Sequence, residues 1–120
     1  MNEPGIRSYR ELRVWQLGIE LTAGFLKSEM YGLTSQMRRA AGSIPANIAE
    51  RFGRTPADYA RYLNIARGSG AELATHVEIA HRVGYVKQPQ YADLVGRCDA
   101  LGAQIYALVQ QVERRKRPTS

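Results

Sequence analysis

Cysteine, histidine and long apolar runs are all scarce in this chain of 120 residues, and each scarcity closes off a class of function. The one cysteine, Cys98, has no intrachain partner for a disulfide, which fits a reducing compartment. The only histidines are His76 and His81, which pair by helical spacing with Glu72 and Glu78. Glu78 and His81 make a Glu-x-x-His of the kind used in di-iron bundles, but such a site needs the motif on two helices and further inward carboxylates. The two histidines also lie about 140° apart on a helical wheel, so they read as solvated or interface residues, and no metal or cofactor is expected. Apolar runs are short and broken by charge, too short to span a bilayer. The opening MNEPGIRSYRELRVW lacks the apolar core of a secretory signal, so a cytoplasmic location is expected. Gly-x-Ser-x-Gly elbows, Walker-type loops and dinucleotide fingerprints are missing too. The glycines of GSGAE, residues 68–72, fall inside a helical pattern whose amides are already bonded and cannot cradle phosphate.

What is present is positive charge and helical periodicity. The net charge is +6, with 17 basic against 11 acidic residues. Setting aside the tail residues Arg114, Arg115, Lys116 and Arg117 leaves 13 basic against 11 acidic, a body of only +2. The charge is therefore a hint of an anionic partner, concentrated at one end.

The spacing predicts four helices and no strand in a single domain, over about 8–26, 33–54, 56–83 and 89–116, with a basic tail over 114–120. In the first, Leu12, Trp15, Ile19, Thr22 and Leu26 fall on one line, flanked by Val14, Leu17, Leu21 and Phe25. A turn over Glu29 to Gly32 leads to the second, capped by Thr34 or Ser35, with Leu33, Met37, Ala40, Ile44 and Ile48 on its core face. Pro45 removes a backbone donor there, yet the apolar spacing keeps its phase, so a kinked but continuous helix is expected. Thr55-Pro56-Ala57-Asp58 opens the third helix as cap, first residue and first-turn acid. Tyr59, Leu63, Ala66, Gly70, Leu73, Val77 and Ala80 form its seam. Gly68 and Gly70 weaken that helix, and close approach of another helix is the expected compensation. In the fourth, Tyr91, Cys98, Ile105 and Val112 recur every seven residues, with Leu94, Val95, Leu101 and Leu108 between. Short connections make an antiparallel up-down-up-down four-helix bundle the expected all-α fold.

On a wheel, the second helix has two further faces. Gln36, Arg39, Ser43, Asn47, Glu50 and Arg54 form a polar stripe beside the core. Ser35, Gly42, Ala46, Ala49 and Gly53 form a face of small residues. That face either packs against another helix or subunit, or is a thin exposed surface. Gln36, Asn47, Glu50 and Glu72 are expected to join in a hydrogen-bonded network between the second and third helices, with Arg39 or Arg67; a catalytic Glu50–Glu72 pair is the alternative. Arg38, Arg39, Arg51, Arg54 and Arg61 make a basic cluster suited to phosphates, unless these arginines pair with Glu50, Asp58 and Glu72. Cys98, on a helix seam, reads as a small core hydrophobe rather than a nucleophile. No nucleophile, base and orienting group share usable spacing, so an enzyme is not expected.

YGLTSQMRRAAGSIPANIAE, the following Gly53-Arg54, ARGSGAEL, YRELRVWQ and HRVGYV together resemble the four-helix proteins of the 23S rRNA intervening-sequence family, across nearly the whole chain. The resemblance implies a small bacterial cytosolic protein, similar in fold to accessory proteins of diversity-generating retroelements. Those form homopentameric barrels and bind nucleic acid and a reverse transcriptase. Three departures stand out: Phe25-Leu26 replaces a Phe-Pro pair, the first helix is about two turns short, and Arg51 follows NIAE where glycine is common. The combined expectation is a non-enzymatic homo-oligomer, a pentameric ring, that contacts RNA or DNA through arrayed arginines. The alternative is an adaptor for a partner protein such as a reverse transcriptase, with no membrane involved.

Overall fold

The computed structural model describes residues 8–26, 33–51 and 54–116, with side chains over 8–22, 35–50 and 54–114. The turn expected over Glu29 to Gly32 and the capping role of Thr34 lie outside these. Among the described residues the chain is all helical, with four helices and no strand: α1 (Arg13–Leu26), α2 (Leu33–Ile48), α3 (Pro56–Arg82) and α4 (Gln88–Lys116).

Ahead of α1, the Ser8 hydroxyl accepts the Arg10 N–H at 3.2 Å and the Glu11 carboxylate accepts the Ser8 N–H at 3.1 Å. This capping box closes a 3-10 turn, Tyr9–Glu11, and Leu12 then takes an extended conformation that tucks its side chain into the core. The first helix accordingly starts at Arg13 and not at Ser8. Its buried line is also rotated from the expected one. Val14, Gly18 and Leu21 face inward, whereas Ile19 is 43% exposed. The cause is Gly18. A Cβ built on it would lie 3.1 Å from Cδ of Pro45, so the absent side chain lets the proline ring of α2 sit against α1.

Helix α2 runs through Pro45 and buries Met37, Ala40, Ala41, Ile44 and Ile48. Beyond Ile48 the backbone tightens into a 3-10 turn, Ala49–Arg51, so the helix does not continue to residue 54. Thr55 caps α3, its Oγ1 accepting the Asp58 N–H at 3.2 Å, with Pro56 as first residue. Its buried ladder is Tyr59, Ala60, Leu63, Ala66, Leu73, Val77 and Ala80. The helix ends in a Schellman turn. Tyr85 N–H bonds Ala80 C=O at 2.9 Å, Gly84 N–H bonds His81 C=O at 3.1 Å, and Gly84 takes φ 88°. Helix α4 spans 29 residues, about 43 Å at the usual helical rise, in a molecule 55 Å long. It buries Cys98, Leu101, Ile105, Val109 and Val112.

Neighbours in sequence are neighbours in space. Helix α2 packs on α1 and α3, and α3 packs on α4, while α1 touches α4 only sparsely. Gly68 and Gly70 do not mark a tight crossing: a Cβ at Gly68 would meet nothing within 4 Å, and at Gly70 only the tip of Ile44. The close crossing is at Gly18 instead. Among the described residues no helix is long and apolar enough to cross a membrane.

Candidate nucleic-acid interface

Among the described residues, Arg39, Arg54 and Arg61 of the basic cluster are already engaged. Arg39, on the exposed side of α2, donates to Gln36 Oε1 at 3.0 Å and forms an ion pair with Glu72 of α3. Glu72 in turn lies 3.6 Å from His76 Nε2. Arg54, just before α3, donates to Glu50 at 2.6 Å and to Asp58 at 3.3 Å. Arg61 donates to Asp58 at 3.1 Å through Nη2. Both Arg54 and Arg61 place their guanidinium carbons 4.5 Å from the Tyr62 ring. Arg38 is half-buried on α2, and Arg114 is exposed near the end of α4. The side chains of Arg51, Arg115 and Lys116, and all of Gly53 and Arg117, lie outside the described residues.

The electrostatics follow these pairings. The hydrogen bond to Glu50 leads in raising the Arg54 pKa, and that to Asp58 leads for Arg61. Arg61, with help from Arg54, holds the Asp58 carboxyl below its ordinary value. Pairing does not use up a guanidinium, which carries five N–H donors in a rigid fork. Arg61 remains 58% exposed and Arg39 61% exposed by side chain, so donors are still directed outward. Glu72, Glu50 and Asp58 hold Arg39, Arg54 and Arg61 in place and formally balance their charge at the same time.

The expected network is assembled only in part: Gln36, Arg39 and Glu72 join between α2 and α3, whereas Asn47 and Glu50 bond elsewhere. Asn47 turns back on its own helix, donating to Ser43 C=O at 2.7 Å and to Ser43 Oγ at 3.0 Å. Glu72 belongs with Arg39 and Glu50 with Arg54, because the 3-10 turn after Ile48 takes Glu50 off the helical stripe. Glu50 and Glu72 are thus each tied to a different arginine. Arg67 joins neither group; it lies over the Tyr106 ring at 4.7 Å. Direct ties between α2 and α3 include Arg39 to Glu72, Ser69 Oγ to Ser43 Oγ at 2.8 Å, and Tyr59 hydroxyl to Ile48 C=O at 3.2 Å. Ser69, Tyr59 and Tyr62 were not singled out for these roles in the sequence; the aromatic beside an arginine pair, Arg61-Tyr62, was the available signal.

The small-residue face of α2 is divided. Gly42 looks toward α1, where a Cβ would lie 3.9 Å from Thr22, while Ala46 is exposed and Ala49 half-buried. Cys98 is buried and its thiol is pushed up to about 11 by burial, so it is protonated at neutral pH. His76 Nδ1 is buried without a hydrogen-bond partner, and His81 Nδ1 meets Val86 C=O at 2.9 Å. His81 also stacks on Tyr91, ring centroids 4.0 Å apart. Among the described residues no three His, Cys, Asp or Glu side chains converge as a metal site.

Comparison with known proteins places this architecture. The profile of the 23S rRNA-intervening sequence protein family matches residues 10–107. A crystal structure of a protein of unknown function from the S23 ribosomal protein family of Bacteroides thetaiotaomicron superposes with a TM-score of 0.74. The two are 21% identical, and the match covers 80% of this chain and 97% of that one, which establishes a shared fold. No curated protein matches the chain.

Proposed function

The chain belongs to the 23S rRNA-intervening sequence protein family, and on that footing we propose that it is a non-enzymatic helical scaffold that contacts RNA or DNA phosphates through exposed arginines. The observation that carries this reading is the Arg54–Tyr62–Arg61 arrangement. Two guanidiniums are held against one aromatic ring and anchored by Glu50 and Asp58, and the Arg61 side chain stays 58% exposed. Ordered arginines lose little rotamer freedom on meeting a phosphate, and the Tyr62 ring holds both in register. Arg38, Arg39 and Arg51 would extend the surface along α2, and Arg114, Arg115, Lys116 and Arg117 would add a non-specific contribution.

Self-assembly belongs to the same proposal. An up-down-up-down bundle, cytoplasmic and repeated in a homopentameric ring, would present the arginine set several times and raise avidity without new contacts. The exposed part of the small-residue face at Ala46, with Ala49, is the proposed contact between copies. Light scattering at micromolar concentration tests it: a species several times the 13.4 kDa chain is expected, and a monomer rejects it.

Filter binding across a salt series tests phosphate contact. Affinity for RNA or DNA should fall as salt rises, with a slope of about 0.7–0.9 per phosphate engaged. The double variant Arg54→Gln, Arg61→Gln should flatten that slope. No affinity at low salt, or a salt-independent one, sinks the reading. A second reading, an adaptor directed at a partner protein, is favoured by the open seam between α1 and α4; a partner retained after nuclease treatment would support it.

A further inference from the structure

The fourth seam of the bundle is not closed. Two depressions lie between α1 and α4, of about 390 and 410 Å³, and both are lined by Gln104. The first also meets Leu17, Leu21 and Leu101, and the second Leu12, Val14 and Leu108. They meet at Gln104, and together they follow α4 from Arg97 to Arg114 as one groove-like track. Seventeen helical steps at 1.5 Å make it about 26 Å long. Its floor is aliphatic, and Leu17 and Leu108 are only half-buried there.

Its rim is cationic. Arg13, Arg97 and Arg114 line it, against one acid, Glu20. Of these, Arg97 is held at 3.1 Å by Asp93, a neighbour on α4 that does not line the groove. From these features we infer that the α1–α4 groove docks an amphipathic helix of a partner protein, with leucine-like residues on one stripe and Asp or Glu on its flanks. The length fits about five turns of helix, the floor matches an apolar stripe, and the rim matches flanking acids. A nucleic acid has no apolar stripe to offer such a floor. The contact proposed between copies, at Ala46 and Ala49, lies on neither α1 nor α4, so self-assembly there leaves this groove to another occupant.

This surface deepens the partner-protein reading and is independent of phosphate contact. The test uses the full-length protein and two fluorescein-labelled 18-residue peptides. Both have leucine at three-and-four spacing; one carries glutamate at the flanking positions and the other lysine. Fluorescence anisotropy should show the glutamate peptide binding at least tenfold more tightly than the lysine peptide. Gln104→Trp, at the exposed join of the two depressions, should weaken the glutamate peptide at least tenfold, and Arg13→Glu with Arg97→Glu should abolish its advantage. Circular dichroism and an unchanged melting temperature establish that the variants are folded. Equal binding of both peptides, or binding indifferent to Gln104→Trp, overturns the assignment. So does dissociation of an oligomer by Gln104→Trp, which would make the groove a contact between copies. A natural partner that survives nuclease treatment and still binds Gln104→Trp would keep the adaptor reading and eliminate this groove.

Discussion

Two glycines in helical stretches act in opposite ways. At Gly18 a Cβ would come within 3.1–3.4 Å of three atoms of the Pro45 ring, and that ring is rigid and buried. Gly18→Val should destabilise the protein by about 1–3 kcal/mol through overpacking, despite the poor helix propensity of the glycine it replaces. At Gly68 a Cβ would meet nothing within 4 Å. Gly68→Ala should stabilise by about 0.5–1 kcal/mol, since it removes unfolded-chain freedom at no steric cost. Urea titration of the two variants checks the pair, and equal effects would refute the account of the α1–α2 crossing. Sequence alone points to the wrong glycines for close approach. The pattern shows where side chains are missing, but whether a neighbour fills that space depends on how two helices cross. The same limit explains Ile19. Its spacing places it on the apolar line of α1, and only the Gly18–Pro45 contact sets the rotation that exposes it.

At the scale of elements, α3 and α4 are tied at their junction by Glu78. Its Oε1 accepts the Tyr91 hydroxyl at 2.5 Å and its Oε2 accepts Arg82 Nε at 2.8 Å. Tyr91 first, and then Arg82, hold the Glu78 carboxyl below its ordinary 4.5, while the bond to Glu78 raises the Tyr91 phenol above its ordinary 10.0. A depressed carboxyl contributes stability above its unfolded value, lost as pH falls through its folded one. A raised phenol contributes stability below 10.0, lost as pH rises through its folded value. Asp58, lowered from 3.8 by Arg61, adds to the acid side. Stability should therefore be level between about pH 5 and 9 as regards these groups and decline beyond either end. Tyr91→Phe should remove the alkaline decline and lessen the acid one, which Asp58 and Arg82 still sustain; urea midpoints measured against pH that keep the wild-type shape in this variant would refute the tie. The core faces of α2 and α3 were legible because Met37, Ala40, Ile44, Ile48 and the Tyr59-to-Ala80 ladder follow one period through each helix. The polar partners were legible only in part, as with Arg39 and Glu72. Glu78–Tyr91 joins residues on different helices, and Glu50 leaves its stripe because Ala49–Arg51 tightens to 3-10 geometry, which no spacing rule announces.

For the whole molecule, the arginine cluster and the groove divide the surface between two kinds of partner. Charge counting gave the arginines their candidate role and left open their pairing with Glu50, Asp58 and Glu72, which holds three of them in the structure. The groove was invisible in sequence, because its leucines read as ordinary core residues and its openness comes from the sparse meeting of α1 with α4. That same sparseness has a dynamic consequence. Helix α1 is anchored mainly by α2, whereas α2 and α3 each have two packed neighbours. The least costly partial opening of the native protein is therefore release of α1 as a unit, with α2, α3 and α4 still folded. Native-state hydrogen exchange should show the α1 amides sharing one opening free energy well below that of α3. An α1 as strongly protected as the centre of α3 would contradict it. A docked helix would close that route and slow exchange throughout α1, so occupancy of the groove would be recorded in the protection of a helix that the arginine surface never touches.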